Sequence, residues 1–126
     1  MDDGTVKTFT VYRAQHNDAV GPTKGGVRFH PYVDEEELKA LSMWMTLKCG
    51  IVNLPYGGCK GGIVCDPRQM SIHEVERLSR GYVRAISQFV GPNKDIPAPD
   101  EIPAKIPSSL ATRRDISIAV SFPTLI

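Results

Sequence analysis

The chain has 126 residues, enough for one compact domain with its own core. Hydrophobic residues make up 41% of it, charged residues make up 23%, and the formal net charge is +1. This balance is ordinary for a globular protein and provides no basic field that would attract a nucleic acid. The apolar runs are short and the acidic start lacks the features of a secretory signal, so we expect neither a membrane span nor export.

Cysteine usage bears on compartment and on metal binding. Cys49, Cys59 and Cys65 are odd in number and contain no Cys-x-x-Cys pair, which argues against a disulfide framework and against a zinc site. The three histidines are scattered and lack metal-ligand company. We therefore expect a reducing cytoplasm and no bound metal.

The first third of the chain predicts two strands and a helix. A β-rich stretch predicts a strand over residues 5–15, and a short second strand over 25–29 follows a loop, which puts Lys24 at a strand entrance. Asp34 and Glu37 have the spacing of a capping box, which predicts a helix over residues 35–49 that stops at Gly50.

The predicted helix carries a lysine in an unexpected place. Apolar residues recur on one side of it at helical spacing, namely Leu38, Leu41, Trp44 and Met45. Lys48 falls inside this apolar arc, whereas Ser42 falls on the opposite side. One interpretation is that Lys48 reaches solvent from the last turn and offsets the helix dipole, and the other is that it binds an anion. A second lysine twelve residues later, inside a glycine cluster, favours the anion ligand.

The rest of the chain predicts an α/β layer architecture. Residues 61–65 read as a short buried strand, and Ser71 with Glu74 forms a second capping box that begins a helix over 72–90. The proline-rich segment Asp95–Asp100 reads as an extended edge segment with a carboxylate at its end. The hairpin-like start favours a mixed β-sheet with flanking helices over a purely parallel one.

Three lysines lie among glycines in short motifs. These are Lys24 in PTKGG, Lys48 in TLKCG and Lys60 in PYGGCKGG. Glycines let the backbone approach a ligand closely, and each ammonium supplies positive charge. A nucleotide phosphate loop is excluded, because Gly61 follows Lys60 where that loop needs Ser or Thr. The motifs predict a pocket for a small polyanion.

Several long motifs in register resemble one family. Tyr12–Phe29, Leu54–Gly62 and Asp95–Asp100 are similar to the substrate-binding domain of bacterial glutamate dehydrogenases, in family order and spacing. The resemblance runs over residues 1–100. It implies reversible, nicotinamide-linked oxidative deamination of glutamate to 2-oxoglutarate and ammonia, with NAD or NADP as cofactor, and hexameric assembly.

The resemblance also implies site residues. Lys60 would be the catalytic lysine and Asp100 its acid/base partner. Lys48 would hold the α-carboxylate and Lys24 the side-chain carboxylate of the substrate, beside Gly25 and Gly26. Because like charges and a water-poor cleft disfavour an ammonium, we expect the pKa of Lys60 to fall far enough for it to act as a base.

Two features depart from the family. Cys59 stands where Gly or Ala is usual, so we expect it to crowd Lys60, or to be sensitive to oxidation if the lysines lower its pKa. Residues 101–126 resemble nothing in the family and show no dinucleotide fingerprint. A frameshift, a sequencing artefact, a partial gene or a disordered tail would account for them, and we expect the chain alone to be inactive.

Two other functions remain open at this point. One is a non-catalytic remnant that binds dicarboxylates or joins full-length subunits. The other is a related amino-acid dehydrogenase of different specificity, although those resemble this arrangement with an apolar residue at the position of Lys24.

Overall fold

The computed structural model describes residues 1–99. Within them, one four-stranded sheet has the order β1-β3-β2-β4. The strands are β1 (Val11–Asn17), β2 (Thr23–Phe29), β3 (Gly57–Ile63) and β4 (Asp95–Pro99). The helices are α1 (Glu35–Ile51) and α2 (Ile72–Ala85), and a short 3-10 turn spans Pro67–Gln69. In this part of the chain neither helix is long and apolar enough to cross a membrane.

The sheet is mixed, as predicted, but for a different reason. β1 and β2 do not form a hairpin, since β3 lies between them and pairs antiparallel with β1 and parallel with β2. β4 then adds to β2 in parallel. The α/β fold class with a mixed sheet and flanking helices is therefore confirmed.

The two helices cover opposite faces of the sheet. A Cβ on Gly58 would lie 2.3 Å from the Ser42 carbonyl oxygen of α1, and one on Gly61 would lie 2.1 Å from the Tyr82 hydroxyl of α2. Because neighbouring strand positions alternate between faces, the sheet separates α1 from α2. The larger apolar cluster lies with α2 and consists of Phe9, Val11, Val27, Phe29, Ile63, Cys65, Val75, Leu78, Tyr82 and Ile86.

Helix α1 begins as predicted and ends later. The Asp34 side chain accepts a hydrogen bond from the Glu37 backbone N–H at 2.8 Å and caps the helix. The expectation that Gly50 stops α1 is wrong, since the helix continues to Ile51. Asn53 ends it with a positive φ of 54°, a left-handed conformation that Asn tolerates better than most residues.

The buried face of α1 is not the predicted one. Leu38, Ser42 and Cys49 are buried, whereas Trp44 is 63% exposed. The reason is the close approach of α1 to β3, where the missing side chain of Gly58 leaves room for the backbone at Ser42 and Thr46. A small polar residue therefore fits against the sheet where the apolar arc would not.

Helix α2 has the predicted start and a shorter length. Both hydrogen bonds of the Ser71 and Glu74 capping box are present. The helix ends at Ala85 instead of residue 90, because the chain tightens into successive turns, with Phe89 N–H donating to the Ile86 carbonyl oxygen at 2.9 Å.

The strands differ from prediction in their bounds. β1 starts at Val11, since residues 5–8 are exposed and β3 pairs with β1 only from Val11 onward. β3 covers 57–63 instead of 61–65, so the glycine cluster is itself a central strand with partners on both sides. Proline-rich β4 lies at an edge, as predicted, and Asp100 lies outside the described residues.

Candidate functional site

Lys24 and Lys60 share one face of the sheet. Lys24 on β2 pairs with Gly58 on β3, and Lys60 follows Gly58 by two residues on that strand. Since side chains two residues apart point to the same side of a strand, both lysines face the α1 side. Both are half-buried. They lie diagonally across two neighbouring strands, within reach of one small ligand.

Helix α1 leaves the β2 part of this face open. It packs mainly on β3 and β1 and makes few contacts with β2. Glu37 in its first turn forms an ion pair with Arg28 of β2, which identifies the side of α1 that faces β2. Lys24 and Lys60 therefore lie on a face of the sheet that α1 covers only in part, which we name the lysine face.

Lys48 lies on the side of α1 that faces β2. It follows Glu37 by eleven residues, three helical turns, and therefore lies on the same side of α1. Thr46 approaches Gly58, the partner of Lys24, so the end of α1 that carries Lys48 is at the Lys24 end of β2. The apolar arc that contains Lys48 in the sequence is not the buried face of α1, and the Lys48 side chain is exposed.

The glycine doublet beside Lys24 divides between the two faces. Gly25 faces the α2 side, and a Cβ there would lie 1.6 Å from the Cys59 carbonyl oxygen. Its small size is therefore needed for packing of β2 against β3. Gly26 faces the lysine side, and its carbonyl oxygen accepts a hydrogen bond from Arg13 Nη1 at 3.3 Å.

Two cavities lie away from the lysines. One of about 460 Å³ is lined by residues that include Met1, Phe9 and Leu78, and one of about 320 Å³ lies beside it near Cys65. Neither includes Lys24, Lys48 or Lys60. The candidate site stays at the three lysines, because they supply the positive charge that a small polyanion needs.

Sequence reasoning missed a buried ionic cluster under the lysine face. Arg13 on β1 donates to Asp95 on β4 from Nε to Oδ2 at 2.8 Å and from Nη2 to Oδ1 at 2.5 Å. Gln15 Nε2 also donates to Asp95 Oδ2, at 2.9 Å, and Cys59 Sγ donates to Asp95 Oδ1 at 3.0 Å. Asp95 is fully buried and Arg13 is 7% exposed. The cluster connects all four strands, because Arg13 also reaches the β2 carbonyls.

The pKa shifts in this cluster favour the ion pair. Burial alone would raise the pKa of Asp95, but the hydrogen bonds and charge of Arg13 outweigh it and the pKa is lowered. Burial alone would lower the pKa of Arg13, and the hydrogen bond to Asp95 raises it. Both groups are therefore charged at neutral pH.

Cys59 does not behave as expected. Its side chain is fully buried on the α2 side of β3, opposite Lys60, so it does not crowd that lysine directly. Burial, opposed in part by Arg13, raises the pKa of its thiol to about 12. The expectation of an activated, oxidation-sensitive thiol is wrong, because the lysines lie across the sheet from it.

One sequence signal could have indicated the cluster. Arg13 lies in a predicted strand. Val11 and Gln15, which share its face of that strand, are uncharged. A charge on a buried strand face requires an opposite charge nearby. Which carboxylate supplies it depends on the strand order, and that order was not predictable from the sequence.

Comparisons with known proteins give the family. The domain family described as "Glu/Leu/Phe/Val dehydrogenase, dimerisation domain" matches residues 1–104. The chain is 96% identical over 100 residues to the NAD-specific glutamate dehydrogenase of Staphylococcus aureus (strain COL), covering 79% of this chain and 24% of that relative. It is 82% identical over 100 residues to the catabolic NAD-specific glutamate dehydrogenase RocG of Bacillus subtilis, with the same coverage.

Solved structures agree with this. A glutamate dehydrogenase from Peptoniphilus asaccharolyticus is similar with a TM-score of 0.77 and 60% identity, over 79% of this chain and 25% of that one. A hetero-hexameric glutamate dehydrogenase from Thermus thermophilus is similar with a TM-score of 0.78 and 47% identity, over 79% and 24%. The chain spans about a quarter of the length of these relatives. It belongs to the Glu/Leu/Phe/Val dehydrogenase family and corresponds to its N-terminal dimerisation domain.

Proposed function

We propose that this chain is the substrate-binding part of an NAD-linked glutamate dehydrogenase. The observation that supports the proposal is that Lys24 on β2 and Lys60 on β3 share one face of the sheet, with Lys48 on the side of α1 that faces β2. Glutamate and 2-oxoglutarate are dianions, and fixed cations suit two carboxylates. The names of the two curated relatives, both NAD-specific glutamate dehydrogenases, support the substrate and the choice of NAD.

Each lysine has a proposed role. Lys24 pairs with the side-chain carboxylate and Lys48 with the α-carboxylate, so that the substrate lies across β2 with its α-carbon near Lys60. Holding both ends fixes the orientation of the α-carbon, and such positioning accounts for a large part of many rate enhancements. The exposure of Lys48 suits a residue that reaches the substrate from α1.

Lys60 and Asp100 would handle protons. In the deamination direction Lys60 takes a proton from the water that attacks the substrate carbon, and its ammonium form then stabilises the negative charge that develops on oxygen. Asp100 exchanges a proton with the substrate nitrogen. In the sequence Asp100 directly follows Pro99, the last residue of β4.

The nicotinamide cofactor, which accepts the hydride, does not fit these residues. Residues 1–99 contain no Gly-x-Gly-x-x-Gly turn between a strand and a helix. The space beside the β3 glycines Gly58 and Gly61 is occupied by α1 and by Tyr82, so their backbone offers no cradle for a pyrophosphate. We therefore expect purified chain to show no glutamate-dependent reduction of NAD, and we assign it the substrate half of the reaction.

A chimera tests this function. Residues 1–100 replace the 100 matching residues of the 96% identical Staphylococcus aureus relative, and glutamate-dependent NADH formation is measured. We expect an active chimera, in which Lys60→Met lowers kcat by about 10³-fold or more. Lys39→Met, on the exposed side of α1, is the matched control and should leave kcat unchanged.

Specificity is tested in the same chimera. Lys24→Leu should raise the KM for glutamate by about 100-fold and favour an amino acid with an apolar side chain, because one carboxylate loses its partner. A Lys24→Leu chimera that keeps its glutamate preference would contradict the role of Lys24. An unsubstituted chimera that prefers an apolar amino acid would favour the related dehydrogenase of other specificity. A chimera that assembles but shows no turnover would favour the non-catalytic remnant.

A further inference from the structure

Arg28 is a further cation on the lysine face. It follows Lys24 by four residues on β2, so the two side chains point to the same side of that strand. Its partner on β3 is Gly62, where an added Cβ would lie 2.8 Å from Leu38 Cδ1 of α1. Arg28 is therefore on the α1 side of the sheet, as the lysines are. The roles proposed for the three lysines give this charge no part in binding.

Lys60 lies midway between Lys24 and Arg28 along the strands. Lys24 pairs with Gly58 and Arg28 pairs with Gly62, and Lys60 is the residue halfway between those two glycines. At about 3.3 Å per residue, each of the two β2 cations is displaced by roughly 7 Å from Lys60 along the strand direction. A substrate with its α-carbon at Lys60 thus has a cation on β2 in either direction for its distal carboxylate.

Glu37 neutralises one of these two cations. Arg28 Nη1 donates to Glu37 Oε1, and the ion pair joins β2 to the first turn of α1. The side chains are only 28% and 30% exposed, so solvent screens the pair less than it screens a surface ion pair. Glu37 Oε2 is buried and accepts no hydrogen bond within residues 1–99. Because an unsatisfied buried oxygen costs stability, stability alone does not explain this contact.

We propose that Glu37 sets the chain length of the dicarboxylate, by neutralising Arg28 at the far end of the lysine face. The inference rests on the proposed function, and it makes Glu37 a positioning residue that acts through Arg28. With Arg28 neutralised, the distal carboxylate is drawn to the other end of the face, where Lys24 and Lys48 lie. A short dicarboxylate fits there, whereas a longer one gains no counter-ion at the Arg28 end.

Isothermal titration calorimetry of the full chain tests this with two ligands. They are 2-oxoglutarate and its seven-carbon homologue 2-oxopimelate, which differ by two methylene groups. Glu37→Gln should bind 2-oxopimelate at least about tenfold more tightly than the wild type does, because the released guanidinium offers a charge-assisted hydrogen bond. The affinity for 2-oxoglutarate should change by less than about threefold. Glutamine keeps the size of Glu37 and an acceptor oxygen, so the substitution removes chiefly the charge.

Two further variants separate this effect from a general change of charge. Glu36→Gln removes the same charge one residue away, from an 83% exposed side chain that pairs with Lys39, and should leave both affinities unchanged. Adding Arg28→Met to Glu37→Gln should remove the gain for 2-oxopimelate. Equal gains in Glu36→Gln and Glu37→Gln, or a gain that survives Arg28→Met, would overturn the proposal.

NMR of the unsubstituted chain gives a test that does not depend on how the variants fold. During titration with 2-oxoglutarate the Nε–H signal of Arg28 should stay fixed while the Nζ signal of Lys60 shifts. An Arg28 signal that shifts and saturates with Lys60 would overturn the proposal, because Arg28 would then bind the substrate itself. A wild-type chain that binds no 2-oxoglutarate would contradict the proposed function and this inference with it. Binding of 2-oxoglutarate without a gain for 2-oxopimelate in Glu37→Gln would overturn this inference alone.

Discussion

Arg13 on one edge strand and Asp95 on the other form a buried bidentate ion pair beneath the lysine face. The pair spans the sheet, since β3 and β2 lie between the strands that carry it. Asp95 opens β4, the strand that leads to Asp100. The ion pair therefore ties β1 and β4, the two edge strands, to one another.

Removing one partner of this pair should be strongly destabilising. Asp95→Asn leaves the Arg13 charge buried without its counter-ion, and we expect a loss of about 3–5 kcal/mol in the free energy of unfolding. Urea denaturation followed by circular dichroism measures it. The control is Glu36→Gln, which removes one partner of Lys39 at the surface and should change the stability very little.

Replacing both partners tests whether the loss of stability comes from leaving one charge buried without its counter-ion. Arg13→Met combined with Asp95→Leu should recover most of the loss, because an apolar pair of similar size needs no counter-ion. A double variant as unstable as Asp95→Asn would show that the hydrogen bonds from Arg13 to the β2 carbonyls dominate instead.

The stability should fall in acid. The pKa of Asp95 is lowered in the folded state from its ordinary value of 3.8. A carboxyl group whose pKa is lower in the folded state stabilises the fold fully at pH values above its unfolded-state pKa. This stabilisation is lost as the pH falls through the folded-state pKa. We therefore expect the urea midpoint to decrease below about pH 4, and this decrease should be smaller in the double variant. An identical pH dependence in both proteins would contradict this origin.

Gly58 should be required for the packing of α1. A Cβ there would lie 2.3 Å from both the Ser42 carbonyl oxygen and the Thr46 nitrogen, so Gly58→Ala should cost about 1–3 kcal/mol or more. Gly50→Ala is the matched control. Nothing lies within 4 Å of its Cβ, and alanine in a helix should add about 0.5–1 kcal/mol of stability. Thermal melts of the two variants should shift in opposite directions.

The cysteines should be unreactive in the folded chain. All three are buried, and the pKa is raised to about 12 for Cys59 and to about 11 for Cys65. A thiol reagent such as dithionitrobenzoate at pH 8 should titrate none of them in buffer and all of them in urea. Fast modification of Cys59 in buffer would mean that the strand opens locally.

The sequence was sufficient for features that depend on local chemistry. The two helix starts follow from the side chains of Asp34 and Ser71, which cap the backbone wherever the helix lies. The proline-rich edge strand and the lysine and glycine motifs could also be identified from the sequence. Long motifs in register identified the family, which periodicity alone could not do.

Features that depend on tertiary contacts were not predictable in the same way. The buried face of α1 is set by the missing side chain of Gly58, so Ser42 is buried and Trp44 is exposed. Lys48 is therefore exposed and does not lie in the core. The partner of Arg13 depended on a strand order in which residues 82 positions apart meet.

The central claim is that Lys24, Lys48 and Lys60 converge on one dicarboxylate, and NMR of the lysine side-chain nitrogens tests it most directly. The chain is labelled at lysine Nζ and titrated with 2-oxoglutarate, and Lys7, Lys39 and Lys94 serve as internal controls. We predict that the signals of Lys24, Lys48 and Lys60 shift together with one saturation curve while the controls stay fixed. Shifts that saturate at different concentrations, or that appear equally at the control lysines, would contradict the claim.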